Sequence, residues 1–200
     1  MGSADHPFAE IEATFRKCVS ALQRAGVPFL LGGSLASWAR GGPESRNDLD
    51  LMVKPADAEW ALGVLVEEGM RPEHPPENWL LKAWDGEVLV DLIFRPKGFE
   101  ITDEVLERGE VLEVLAMQVR VISLEDLLVS KLLVLDDHQL DFSPALRVAR
   151  ALREQIDWSQ VHARTSHSPY ATAFFSLLHA LGVIEGAHPR HDRAEVRVVP

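Results

Sequence analysis

The sequence predicts an α/β (α+β) protein, with a mixed β-sheet core flanked by helices and a C-terminal helical extension. Three observations predict it. Phe8, Ile11, Phe15, Val19 and Leu22 recur at spacings of three and four, the period of an amphipathic helix. Short apolar runs at 29–31, 48–53, 79–84 and 87–94 are bounded by Gly, Pro, Asp and Asn, the punctuation of strands. From Ser123 onward the pattern becomes helical almost throughout.

The elements follow in order. The first helix spans 8–25 and stops at Gly26, a residue that tolerates positive φ. Pro28 opens a buried strand, Phe29 to Leu31, which Gly32, Gly33 and Ser34 break. A short helix follows over Leu35 to Arg40, with Ser34 at its cap or first turn. Residues 41–47 form a polar loop and 48–53 a strand. Pro55 opens a helix that ends at Gly69. Pro72, Pro75 and Pro76 mark a loop. Asp85 and Gly86 separate two apolar runs as a hairpin turn, so the sheet is not purely parallel. Residues 100–122 carry mixed signals, with short strands at 111–115 and 119–122. Ser123 followed by Glu125 and Asp126 is a capped helix start. That helix runs to about 137, and others cover 144–155, 158–164 and 169–181. The expected organisation is a core at 1–122, a helical region at 123–185 and a polar tail at 186–200.

Composition narrows the function. The chain has 200 residues, 46% apolar and 26% charged, enough for one ordinary core. Its net charge of −11 weighs against non-specific binding of DNA or RNA, which depends on Lys and Arg displacing counterions. Clustered carboxylates have a use with divalent cations. Cys18 is the single cysteine, so an intrachain disulfide and a thiolate metal site are excluded, and its apolar neighbours place it in the core. No apolar run is long enough to span a bilayer, and no basic segment precedes an apolar one at the N-terminus. The expectation is a cytoplasmic protein without a membrane partner.

The chemistry is carried by Asp48, Asp50 and Asp91. On a strand, residues two apart face the same side, so Asp48 and Asp50 project together. Adjacent carboxylates repel unless a cation bridges them. Asp91 interrupts the apolar run Val88 to Phe94, where a lone carboxylate is costly. If its strand lies beside the first, the three acids meet in a site for Mg²⁺, with Mn²⁺ as the alternative ion. Gly32 and Gly33 allow backbone to approach a ligand closely, and the helix after them presents free N–H groups. A phosphate cradle followed by a carboxylate cluster points to in-line attack on the phosphorus of a metal-bound nucleoside triphosphate.

Gly32, Gly33 and Ser34, a spacer, Asp48 and Asp50, and the later Asp91 resemble the signature of the polymerase-β-like nucleotidyltransferase superfamily. The pattern covers roughly residues 28–94. The resemblance implies that Ser34 contacts phosphate, that Asp48 and Asp50 bind metal, and that Asp91 is a third ligand or the base for an acceptor hydroxyl. The segment from Ser123 to Leu132 is similar to small bacterial nucleotidyltransferases. These include abortive-infection toxins of toxin–antitoxin systems and, more distantly, antibiotic nucleotidyltransferases. In the toxin-like group a helical Lys joins the site, and Lys131 matches it. A downstream acid does the same, and Asp136, Asp137 and Asp141 all stand near enough to compete for that role. The implied acceptor is RNA, a protein or a small molecule.

Plainer readings stand beside these. Gly32 to Ser34 makes an ordinary turn and cap, and each Asp makes a solvated strand residue. Lys131 makes a snorkelling helix residue. Arg46 either reaches a phosphate of the nucleotide or is a plain loop charge. Arg147, Arg150 and Arg153 recur every three residues as a basic stripe. The histidines lack zinc spacing, although His138 lies among acids. Trp38, Trp60, Trp79, Trp84 and Trp158 read as core, with Trp79 or Trp84 able to border an acceptor pocket. Rival functions are a nucleotide-binding regulatory module without chemistry and a purely structural protein.

Overall fold

Helix α1 (Phe8–Ala25) turns Ile11, Phe15, Cys18, Val19 and Leu22 into the core, and Gly26 ends it at a φ of +72°. The computed structural model describes residues 8–43 and 48–185. Arg46, the start of the N-terminal segment and the tail from 186 lie outside the described residues.

Seven strands form one mixed sheet. They are β1 (Phe29–Leu31), β2 (Leu49–Val53), β3 (Arg71–Glu73), β4 (Leu80–Asp85), β5 (Val88–Ile93), β6 (Glu110–Val114) and β7 (Met117–Val121), in the order β3-β4-β5-β2-β1-β7-β6. Strand β2 runs antiparallel to β1 and parallel to β5. The helices are α2 (Gly33–Trp38), α3 (Ala58–Glu67), α4 (Asp103–Arg108), α5 (Leu124–Leu133), α6 (Ser143–Leu152), α7 (Trp158–Thr165) and α8 (Pro169–Ala180).

Alternation along the strands decides which face is covered. On β5, Val88, Val90 and Leu92 are buried, while Leu89, Asp91 and Ile93 are half-buried. Helices α1 and α3 pack against this strand. Asp85, on the same side as Val88, accepts hydrogen bonds from Thr14 Oγ1 at 2.9 Å and Lys17 Nζ at 2.7 Å, which ties α1 to that face. Leu49 and Leu51 of β2 are fully buried, each contributing about 2 kcal/mol by leaving water. The opposite face carries Asp50 and Asp91 and is only partly covered.

Helix α5 is the hub of the C-terminal half and contacts α6, α7 and α8. Ser123 Oγ caps it by accepting from the Asp126 N–H at 3.1 Å. The Asp126 carboxylate, fully buried, accepts from Arg108 and Arg164 at 3.1 and 2.6 Å, joining α4, α5 and α7. Burial pushes the Asp126 carboxyl up, but the two guanidinium groups outweigh it and hold the carboxyl below its ordinary range.

Several expectations need correction. The proline-rich loop contains β3, where Pro72 is tolerated because the strand is at the sheet edge. The stretch 100–122 contains α4, capped by Thr102, which accepts from Val105 N–H at 3.4 Å. Helix α2 begins at Gly33 rather than Leu35, with Gly32 at its cap position, and α5 ends at Leu133 rather than near 137. The turn between β4 and β5 is centred on Gly86 and Glu87, one residue later than expected, because Asp85 pairs with Val88. Trp60 and Trp79 are not core residues; they are 49% and 40% exposed. No described helix is long and apolar enough to cross a membrane.

Two tests of stability follow. The β6–β7 turn places Leu115 and Ala116 at φ of 51° and 60°, a region that costs a side-chain-bearing residue about 1 kcal/mol. Ala116→Gly should raise the urea midpoint by the equivalent of about 1 kcal/mol with an unchanged slope. Asp126→Asn leaves two arginines facing a buried neutral group and should cost about 3 kcal/mol. Because the folded Asp126 pKa is depressed, its contribution is full above the unfolded pKa and fades as pH falls through the folded value. The gap between wild type and variant in urea melts should therefore be widest above about pH 4 and shrink below it.

Candidate active site

The parallel register of β2 and β5 sets Asp50 directly opposite Asp91. Paired residues in a sheet share a face, so both carboxylates leave the same side. The hairpin register then sets Lys82 opposite Asp91, and β3 sets Glu73 opposite Lys82. A row of charge, Glu73, Lys82, Asp91 and Asp50, crosses four strands. Lys82 Nζ donates to Asp91 Oδ1 at 3.0 Å. Asp48 immediately precedes β2, half-buried, so strict alternation does not fix its direction as it does for Asp50.

Asp50 is wedged against the glycine turn. A Cβ on Gly33, whose φ is +60°, would fall 1.6 Å from Asp50 Oδ2. Only glycine leaves the carboxylate that space, and only glycine adopts that φ without strain. Gly32 N–H donates to the Asp50 carbonyl at 2.9 Å, which fixes the turn to β2. Ser34 is the second residue of α2. The turn and strand β2 are neighbours in space at Gly33 and Asp50.

The electrostatics record the crowding. The Asp50 carboxyl is pushed up to about 7, first by burial, then by Asp91, with Lys131 pulling the other way and Asp48 adding a smaller push. Burial also raises Asp91, against the Lys82 hydrogen bond, with Asp48 and Glu73 adding repulsion. Lys131, on α5, feels Asp50 across the cleft. Burial depresses its pKa, Asp50 supports its charge, and Arg147 opposes it. The site therefore holds more negative charge than its own lysines neutralise.

A cleft of about 550 Å³ opens at Lys131, lined on the sheet side by Met52 and Ile93, two residues along β2 and β5 from Asp50 and Asp91. Met52, Ile93, Trp79 and Val134 give it apolar walls, and Arg95, Lys97 and Lys131 give it positive charge against Asp136. Of the downstream acids, Asp136 reaches this cleft and accepts from the backbone N–H groups of His138 and Gln139. Asp137 accepts from the Tyr170 hydroxyl, and Asp141 accepts from the Ser143 N–H at 2.8 Å. The basic stripe divides: Arg147 acts on Lys131, while Arg153 pairs with Glu154 at 2.9 Å.

The acids suit Mg²⁺ or Mn²⁺ in kind, being hard oxygen donors, and the space at Gly33 is left open to a carboxylate. Among the described residues no group of three or more His, Cys, Asp or Glu side chains is ready-made for an ion. Of the three acids expected to cluster, Asp91 is engaged by Lys82. Lys82 escaped the sequence reading. Its signal was the alternation of Leu80, Lys82 and Trp84 across the hairpin from Asp91.

Comparison with known proteins bears on the fold and the family. A search of curated proteins gives no match. The solution structure of the antibiotic-resistance factor ANT(2'')-Ia has a similar fold, with a TM-score of 0.61 at 16% identity, covering 87% of this chain and 98% of that one. A crystal structure of ANT(2'')-Ia with adenylyl-2''-tobramycin gives 0.60 at 16% identity, over 84% and 98% of the two chains. The lincosamide antibiotic adenylyltransferase LnuA, lincomycin-bound, gives 0.50 at 13% identity, over 74% and 98%. The model of a family described as "uncharacterised nucleotidyltransferase" matches residues 9–183. The chain therefore belongs to that family of nucleotidyltransferases.

Proposed function

We propose that the chain transfers a nucleoside monophosphate from a Mg²⁺-bound nucleoside triphosphate to a hydroxyl of a small-molecule acceptor, releasing pyrophosphate. The observation that carries this reading is the opposition of Asp50 and Asp91 beside Gly33, with Lys131 close enough to support the Asp50 charge. Asp48, Asp50 and Asp91 would hold the ion, which when bound neutralises phosphate charge and steadies the leaving pyrophosphate. Gly32, Gly33 and Ser34 would present backbone N–H and hydroxyl groups to phosphate, and Lys131 would neutralise it from the opposite wall. Arg46 would reach the same phosphates. The acceptor oxygen forms a bond to the α-phosphorus as the bond to the β-phosphate oxygen breaks. Its proton goes to Asp91 or to water.

A small acceptor is supported by the cleft of about 550 Å³, a size suited to one small molecule, and by a net charge of −11 that disfavours RNA. The adenylyl-tobramycin and lincomycin complexes of proteins with this fold point the same way. The helical half, similar to abortive-infection toxins, supports RNA or protein instead. Labelled nucleotides incubated with the chain and a cell extract separate the two. Label in the small-molecule fraction is expected, and label in RNA or protein would favour the toxin-like reading. Absence of pyrophosphate release with every nucleotide and extract would favour a binding module.

Asp50→Asn should lower pyrophosphate release at least about 10²-fold, because it removes charge from the ion and phosphate site. Unchanged turnover would remove Asp50 from the reaction. Gly33→Ala should cost about 1–2 kcal/mol of stability through its positive φ and, by displacing the Asp50 carboxylate, reduce turnover by a comparable factor to Asp50→Asn. A folded Gly33→Ala protein with normal turnover would contradict the role given to the turn.

A further inference from the structure

The row Glu73, Lys82, Asp91, Asp50 alternates in sign until its last step, where two carboxylates meet. Lys82 is not a surface lysine that happens to find an acid. Its partner is opposite it in an antiparallel pair, and that register is held from Leu80–Ile93 to Asp85–Val88. The Lys82 and Asp91 side chains are only 21% and 16% exposed, so solvent competes weakly for the pair. Glu73 bounds the lysine on its far side and is itself anchored by the Trp84 indole N–H at 2.7 Å. The ammonium bonds to Asp91, while Glu73, opposite it in the β3–β4 register, accepts from Trp84.

We propose that Lys82 is a positioning residue that serves as the built-in cation of Asp91, so that the free protein takes up one divalent ion, shared between Asp50 and the oxygen of Asp91 that Lys82 leaves, rather than two. This rests on the metal-dependent reading given above. A carboxylate beside a fixed ammonium has less charge to offer a second ion and is held in place by the bond it accepts. Among the described residues Asp50 has no such lysine or arginine at hydrogen-bond distance; Lys131 acts on it electrostatically and remains available to phosphate.

The test is Mn²⁺ titration of the full chain without nucleotide, read by the electron paramagnetic resonance of free Mn²⁺. The wild type should bind one equivalent, and Lys82→Met should gain a second as Asp91 is released. Lys82→Arg should return to one, because it restores the charge. A merely structural role for Lys82 would shift melting temperature without changing this count. Two equivalents in the wild type would overturn the proposal while leaving the metal-dependent reading intact. A single equivalent in a folded Lys82→Met protein would overturn it as well. If Asp50→Asn binds Mn²⁺ as the wild type does, the site itself is wrong and both readings fall.

Discussion

Two carboxylates on neighbouring strands cannot both be ionised at close range in a half-buried place without help. That constraint organises this protein. The parallel pairing of β2 and β5 puts Asp50 against Asp91, and the pairing is itself imposed by burial. Leu49, Leu51, Val90 and Leu92 must all reach the side covered by α1 and α3. A slip of one residue would expose those leucines and bury the acids. The hydrophobic effect thus fixes the charged pair. The surrounding features answer it: a glycine that leaves Asp50 room, lysines on the adjacent strand and on α5, and an open sheet face.

The helical half contributes Lys131, which acts electrostatically on Asp50. Helix α5 is held by the buried Asp126, whose two arginines come from α4 and α7. That network supplies orientation, as buried and fully bonded ions do. The cleft between α5 and the sheet then combines apolar walls with excess positive charge, a lining suited to a ring-bearing anionic ligand.

Much of this was legible in the sequence. Long periodic segments such as α1 and the later helices follow from their apolar spacing alone. Asp91 stood out because it breaks an apolar run, and Asp50 because it shares a strand face with Asp48. Less legible were elements whose local signals conflict with their tertiary role. Strand β3 contains a proline and persists because it needs ladder bonds on one side only. Helix α4 is six residues long, too short to show a period. The hairpin turn moved by one residue because Gly86, at positive φ, takes the first central position, leaving Asp85 in the ladder and bonded to α1. That shift brings Lys82 opposite Asp91. The exposure of Trp79 also could not be read locally, since only the return of α5 makes the cleft it lines.

The central claim is that the Asp50–Asp91 pair beside Gly33 is where a divalent ion binds. Nuclear magnetic resonance of the backbone amides during addition of trace Mn²⁺ tests it most directly. Broadening should appear first at Gly33, Asp50 and Asp91, which the register places side by side. Broadening that begins instead at Asp136, Asp137 and Asp141, or nowhere in the sheet, would contradict the account.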